Sequence, residues 1–153
     1  MQLAVGADHA GYDLKVVLLE HLRAAGHDVV DLGTTDATTS VDWPDYGRMV
    51  AEAVVEGTAE LGICVCGSGI GVAIAASKVP GCRAATVHDV TSAHLAREHN
   101  HANVCCLGAR LTGPAVAIEA VDAFLAAHPL GDRHVRRVAK LDDLDQRSPR
   151  RTS

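Results

Sequence analysis

Five times along this chain a short β-rich run gives way to helical periodicity, and no other feature limits the fold as strongly. "QLAVGA" leads into a stripe in which Leu14, Val17, Leu18 and Leu22 keep the spacing of one buried helix face. Gly26 follows where a left-handed cap is expected, and "HDVVDLG" is the second strand. After a polar loop over 34–43, Pro44 opens a helix through Met49, Ala53 and Val54. "ELGICVC" is almost continuously apolar, the pattern of a parallel strand covered on both faces. The helix "IGVAIAASK", the strand "RAATVH" and the helix "VTSAHLAREHN", capped by Asp89, come next. "NVCCLGA" and "PAVAIEAVDAFLAA" complete the alternation, with Pro114 in the first helical turn, where its missing N–H is not needed.

Strands and helices in that order predict a three-layer, doubly wound α/β fold, Rossmann-like, around a five-stranded parallel sheet. "DRHVRRVAKLDDLDQ" adds an extra C-terminal helix, basic at its start, of the kind that packs on a partner subunit. Residues 1–148 read as a single domain and 149–153 as a solvated tail. With 153 residues the chain can bury a core without disulfide or metal staples. Aromatic residues are only 3%, so that core is built of Val, Ala, Leu and Ile, which suits layered packing. No apolar run reaches the roughly 18 residues of a membrane span, and "MQLAVGADHAG" lacks the marks of a signal peptide, so a cytoplasmic protein is expected. A net charge of −5 speaks against a nucleic-acid partner.

Ligands of such sheets bind beyond the carboxyl ends of the strands. Here those ends carry Asp8 and His9, then Cys66, Gly67 and Ser68, then His88 and Asp89, then Gly108, Ala109 and Arg110. In "CVCGSGIG" the glycines Gly67, Gly69 and Gly71 join a buried strand to a helix, so backbone N–H groups and the helix dipole converge on one spot. Anions and developing oxyanions are stabilised there. A bare tight turn is one alternative. A nucleotide-phosphate loop is another, with Asp89 about 20 residues on as a ribose-binding acid, but Val72 stands where the third fingerprint glycine belongs.

Cys66 begins that loop, and a thiolate at a helix N-terminus is stabilised, which makes Cys66 a candidate base. A zinc site from Cys64, Cys66, Cys105 and Cys106 would need spacers of about two to four residues, whereas C-x-C and C-C point thiols along a sheet. Cys64, Cys82, Cys105 and Cys106 therefore read as packing, and no metal is expected. Among nine histidines, His21 and His27 read as ordinary and His94 and His101 as surface residues. His99 ends a helix, where the dipole favours imidazolium, so it is either a cap or an acid–base group. Arg133 and Arg137 share one helical face; with Arg110 they can hold a phosphate dianion, or they form a solvated basic face.

The blocks "GADHAGYDLK", "DWPDY", "CGSGIGVAIAASK", "REHNHANV", "GARL" and "GDRHVRRV" resemble, in order and spacing, the type B ribose-5-phosphate isomerases. That family also holds the galactose-6-phosphate and allose-6-phosphate isomerases, and the resemblance covers almost the whole chain. It implies an aldose–ketose isomerase of the pentose phosphate pathway, working without metal or cofactor through an enediol(ate) between D-ribose 5-phosphate and D-ribulose 5-phosphate. Cys66 is then the base between C1 and C2, steadied, like the enediolate oxygen, by Ser68 and the amides of Gly67, Gly69, Ile70 and Gly71. His99 with Asp8 opens the sugar ring, Asn100 holds a hydroxyl, and His9, Arg110, Arg133 and Arg137 hold the phosphate. The resemblance further implies a homodimer or homotetramer whose site is shared between chains.

Three positions depart from the family pattern. Val72 replaces a glutamate that some relatives use as base, Ser68 stands where threonine is common, and Trp43 stands where tyrosine is usual, in a loop at the edge of the sugar pocket. Isomerisation of another aldose phosphate (allose 6-phosphate, galactose 6-phosphate or a tetrose phosphate) is the alternative within the family. A non-catalytic nucleotide-binding module, and more distantly a structural protein with a basic dimerisation arm, are alternatives outside it.

Overall fold

The computed structural model describes residues 1–146, so the tail expected at 149–153 lies outside the described residues. Five strands, β1 (Gln2–Ala7), β2 (Asp28–Asp31), β3 (Leu61–Cys66), β4 (Ala84–Thr86) and β5 (Val104–Gly108), form one parallel sheet in the order β2-β1-β3-β5-β4. Its helices are α1 (Tyr12–Ala24), α2 (Trp43–Val55), α3 (Ile70–Ala76), α4 (Val90–Asn100), α5 (Pro114–Ala126) and α6 (Arg133–Asp145). The steps from β1 to β2 and from β4 to β5 run one way across the sheet; those from β2 to β3 and β3 to β4 run the other way. Right-handed crossovers then send helices to both faces. One face carries α1, α4 and α5, the other α2 and α3.

Every residue of β3 is buried, as its apolar run predicts. Strand alternation sends Leu61, Ile63 and Val65 into the α1/α4/α5 layer, and Cys64 and Cys66 into the α2/α3 layer. In β5, Cys105 and Leu107 face the first layer, Val104 and Cys106 the second. The second layer is thin because backbone comes close. A Cβ at Gly62 would stand 2.6 Å from Val50 Cγ1, and one at Gly47 2.7 Å from the Val72 carbonyl oxygen.

Several sequence expectations need correction. The buried face of α1 is Leu14, Lys15, Leu18, Leu19 and Leu22, while Val17 is only half-buried. The helix lies in a groove between the sheet and α5, so its covered stripe is wider than the sequence pattern. Helix α2 begins at Trp43, after Asp42, with Pro44 in its first turn, so Trp43 is helical rather than part of the loop. Asp89 caps α4 in a reciprocal box with Ser92, as a cap should, and is not left free for a ribose. His101, expected on the surface, is a half-buried left-handed cap with φ 51° whose Nε2 pairs with the Leu130 carbonyl at 2.8 Å.

Helix α6 lies back on its own chain. Its Val138 and His134 are buried, Asp142 pairs with Arg83 at 3.0 Å, and Asp145 accepts the Gly81 amide at 2.7 Å. Val135, Leu141 and Leu144 are left outward. Among the described residues no helix is long and apolar enough to cross a membrane.

Candidate active site

Chain direction reverses between β1 and β3, and crevices in doubly wound sheets open at such points. Asp8 and Cys66 stand on the two sides of this one. Asp8 caps a 3-10 turn over His9–Gly11, accepting the Gly11 amide at 3.0 Å, and is buried. After Cys66 the backbone turns sharply through Gly69, whose φ of 77° lies in the left-handed region. A Cβ there would also strike the Leu107 carbonyl carbon at 2.8 Å, and one at Gly108 would strike Ser68 at 2.5 Å. The loop is thus seated directly on β5, and only glycine permits it.

That turn brings the Gly69 amide onto Cys66 Sγ at 3.2 Å. An N–H donor aimed at sulfur favours negative charge on it. Ser68 Oγ accepts the Ile70 amide at 3.3 Å, at the start of α3. Arg110 is fixed by its own amide, which donates to Gly67 at 3.0 Å, and its guanidinium lies over the Gly67 backbone. The Trp43 indole lies against Gly71, where a Cβ would come within 2.9 Å of the ring. His9 is held from outside by the Val41 amide, which donates to Nδ1 at 3.2 Å.

Together Asp8, His9, Trp43, Cys66, Ser68 and Arg110 enclose a cavity of about 270 Å³ floored by the Gly67 and Gly71 backbone. A carboxylate, an imidazole, a thiol and a guanidinium converge on one small space, which suits proton movement on a bound anion. Ile70 does not line the cavity: its amide is given to Ser68 Oγ, and its side chain is exposed on a separate groove beside β4. His88 and Asp89 lie outside the cavity.

Burial pushes the Cys82 thiol up to about 12 and raises Cys105, while the hydrogen bond with Cys64, together with burial, raises Cys106. Those thiols stay protonated near neutral pH. Cys105 faces the opposite layer from Cys64, Cys66 and Cys106, so the four cannot surround one atom. Among the described residues no group of three or more His, Cys, Asp or Glu side chains has metal-binding geometry.

The remaining sequence candidates gather elsewhere. Helix α4 starts near the C-terminal end of β4 and returns to the N-terminal end of β5, so His99 and Asn100 sit at the far end of the sheet from Cys66. Along β5 alone that separation is roughly 13 Å. His99 stacks on His134, with ring centroids 4.5 Å apart and planes 20° apart. Arg133 and Arg137 belong to the same helix as His134, so neither joins Arg110 within the chain. Asn100 lines a different cavity, of about 340 Å³, with Arg83 and Asp142.

His134 escaped the sequence reading. Burial first, then the neighbouring His99 and Arg133, hold its pKa below the usual imidazole value, and among the described residues its buried Nδ1 has no hydrogen-bond partner. Nothing in its spacing foretells the stack. Lys15 also escaped, although a lysine beside Leu14 in an apolar stripe is a visible anomaly.

A family model described as ribose/galactose isomerase matches residues 3–141. The chain belongs to that family. It is 40% identical over 146 residues to the ribose-5-phosphate isomerase B of Escherichia coli, covering 95% of this chain and 97% of that one. The ribose-5-phosphate isomerase B structure from Clostridium thermocellum superposes with a TM-score of 0.93 at 44% identity, covering 95% of this chain and 97% of that chain. The Mycoplasma genitalium enzyme, solved with bound ribulose-5-phosphate, gives a TM-score of 0.92 at 39% identity, covering 96% of this chain and 97% of that chain. A family match over nearly the whole chain leaves the nucleotide-module alternative without ground.

Proposed function

We propose that this member of the ribose/galactose isomerase family interconverts D-ribose 5-phosphate and D-ribulose 5-phosphate. The observation that carries the reading is the Cys66 sulfur at the cavity wall under the Gly69 amide. The Cys66 thiolate takes the proton from C2 of the open-chain aldose, and negative charge passes to the carbonyl oxygen at C1. Amides of the 67–71 turn offset that charge, the proton returns to C1, and the hydroxyl proton moves from O2 to O1. His9 and Arg110 hold the phosphate from this chain's side of the cavity. No metal or cofactor takes part, and the enzyme works in the cytoplasm, in keeping with five free, buried cysteines.

Ring opening falls to His99 with Asp8 of the cavity, a sugar hydroxyl to Asn100, and the rest of the phosphate grip to Arg133 and Arg137; of these, His99, Asn100, Arg133 and Arg137 lie away from the cavity. These four residues sit at the other end of the sheet in their own chain, so they serve the cavity of a second copy. The working unit is a homodimer or a pair of dimers, and the outward Val135, Leu141 and Leu144 of α6 suit burial between copies. Trp43 keeps a second substrate reading open: its ring over Gly71 shapes the cavity, so other aldose phosphates of four to six carbons belong in the same assay.

Two inactive variants provide the test. Cys66→Ala and His99→Ala are purified separately and assayed on the aldose-phosphate panel without added metal, then unfolded together, refolded as a mixture and assayed again. Restored turnover in the mixture is expected, because mixed dimers hold one cavity with both residues intact. A wild type inert on every sugar sinks the isomerase reading; an active wild type whose mixed variants stay dead sinks the shared site alone.

A further inference from the structure

Between β2 and α2 the chain makes an excursion over residues 32–42 that is tied down at both ends, at its start by groups the proposed chemistry does not use and at its far end by His9. At its start stands Lys15, only 2% exposed, with every ammonium proton engaged. Its Nζ lies 2.9 and 2.8 Å from the two carboxylate oxygens of Asp31 and 2.8 Å from the Thr34 carbonyl. Asp31 also accepts the Gly33 amide at 2.9 Å, and a Cβ on Gly33 would stand 2.6 Å from Lys15 Cδ. The Thr34 amide continues the β1 ladder by donating to Ala7 at 2.9 Å. At its far end, the Val41 amide meets His9 Nδ1.

A backbone amide can only donate. The Nδ1 it meets is therefore the unprotonated nitrogen, and a neutral ring carries its proton on Nε2. Within the described residues Nε2 has no hydrogen-bond partner, while the His9 ring lines the cavity. An ion pair that buries its lysine is weak evidence for stability, because desolvation offsets much of its attraction. Its better-founded use is to fix one arrangement over others.

We propose that the Lys15–Asp31 pair is a positioning device for His9. By fixing the start of the 32–42 segment, it keeps the Val41 amide on Nδ1 and presents Nε2–H to the cavity as a donor for an anionic oxygen. Lys15 and Asp31 touch no substrate; they act through the loop. The inference rests on the reading of His9 as a phosphate ligand.

Long-range ¹H–¹⁵N spectra of the full-length protein, with His9 assigned by its loss in His9→Ala, read the tautomer directly. The wild type is expected to show an unprotonated Nδ1. In Lys15→Met, which keeps the stem and drops the charge, the two tautomers mix, and KM for D-ribose 5-phosphate rises about tenfold with kcat within about twofold. An Nδ1–H ring in the wild type overturns the proposal without any variant. So does a Lys15→Met protein whose His9 signals or KM are unmoved, whatever its melting temperature. Should Lys15→Met fail to fold, Asp31→Asn, altered at a part-exposed position, takes its place with the same expectation. His9→Ala separates the two ideas: if its KM also stays put, the phosphate reading has failed, and the nitrogen signals alone decide whether Lys15 positions the ring.

Discussion

Below α1, α4 and α5 the sheet meets leucine, valine and Phe124, whereas below α2 and α3 it meets alanine, cysteine and bare backbone. In the first layer side chains set the spacing, and bulk apolar surface supplies much of the stability. In the second, Gly6, Gly47 and Gly62 let Val50 and Val72 approach the chain directly, and Cys66 emerges from this thin layer into the cavity. A thin layer has little room to move. The Cys66 sulfur is therefore met by backbone, the Gly69 amide at 3.2 Å, and the thick layer carries the load that a layer of alanines cannot.

The sharpest way to break this contrast is to cross the two layers in one pair of variants. Cys66→Ala should lower kcat by about 10² to 10⁴ while moving the melting temperature little. Leu18→Ala, fully buried in the thick layer, should cost about 2–5 kcal/mol of unfolding free energy in denaturant titration and leave kcat near wild type. A Cys66→Ala protein as destabilised as Leu18→Ala would mean that the thiol is packing and the contrast false.

Gly62→Ala sharpens the argument from the other side. One added methyl beside Val50 Cγ1 should overpack the thin layer by about 1–3 kcal/mol, and a second change, Val50→Ala, should recover part of that loss. Equal and additive losses would show that the glycine is not there for space.

The smallest effect belongs to Asp36, half-buried in the loop outside both layers. The amide of Thr39, then the hydroxyl and amide of Thr38, hold its carboxyl down to about 2 from an ordinary 3.8. A depressed carboxylate stabilises the fold fully above its unfolded value and stops doing so as pH falls through its folded one. The melting-temperature gap between wild type and Asp36→Ala should thus be steady at pH 5, shrink below about pH 4 and close near pH 2, amounting to no more than about a degree. A gap independent of pH would assign the effect to the turn and not to the charge.

Much of the architecture was legible because apolar periodicity and strand length report directly on burial. The strand order was less so. Nothing in "RAATVH" marks β4 as the edge strand outside β5, since both runs are short and apolar. The cavity followed from a topological rule, which is why Asp8, His9, Cys66, Ser68 and Arg110 came together as expected. His99, Asn100, Arg133 and Arg137 were legible as residue types, but their distance from Cys66 within one chain was not read from the spacing. A helix joining parallel strands runs back against them, so its last residues belong at the strands' starting ends, and "REHN" could have been placed there from the alternation alone. Lys15 stayed hidden because its partners, Asp31 and the Thr34 carbonyl, lie beyond a full helix in sequence.

The remoteness of His99 from Cys66 in one chain has a consequence for how such an enzyme is switched on. If each cavity borrows from a second copy, a newly made chain is inert however well it folds. Specific activity then depends on dilution, climbing with total protein until assembly saturates. Expression level would set not only how much catalyst the cell holds, but what fraction of it is awake.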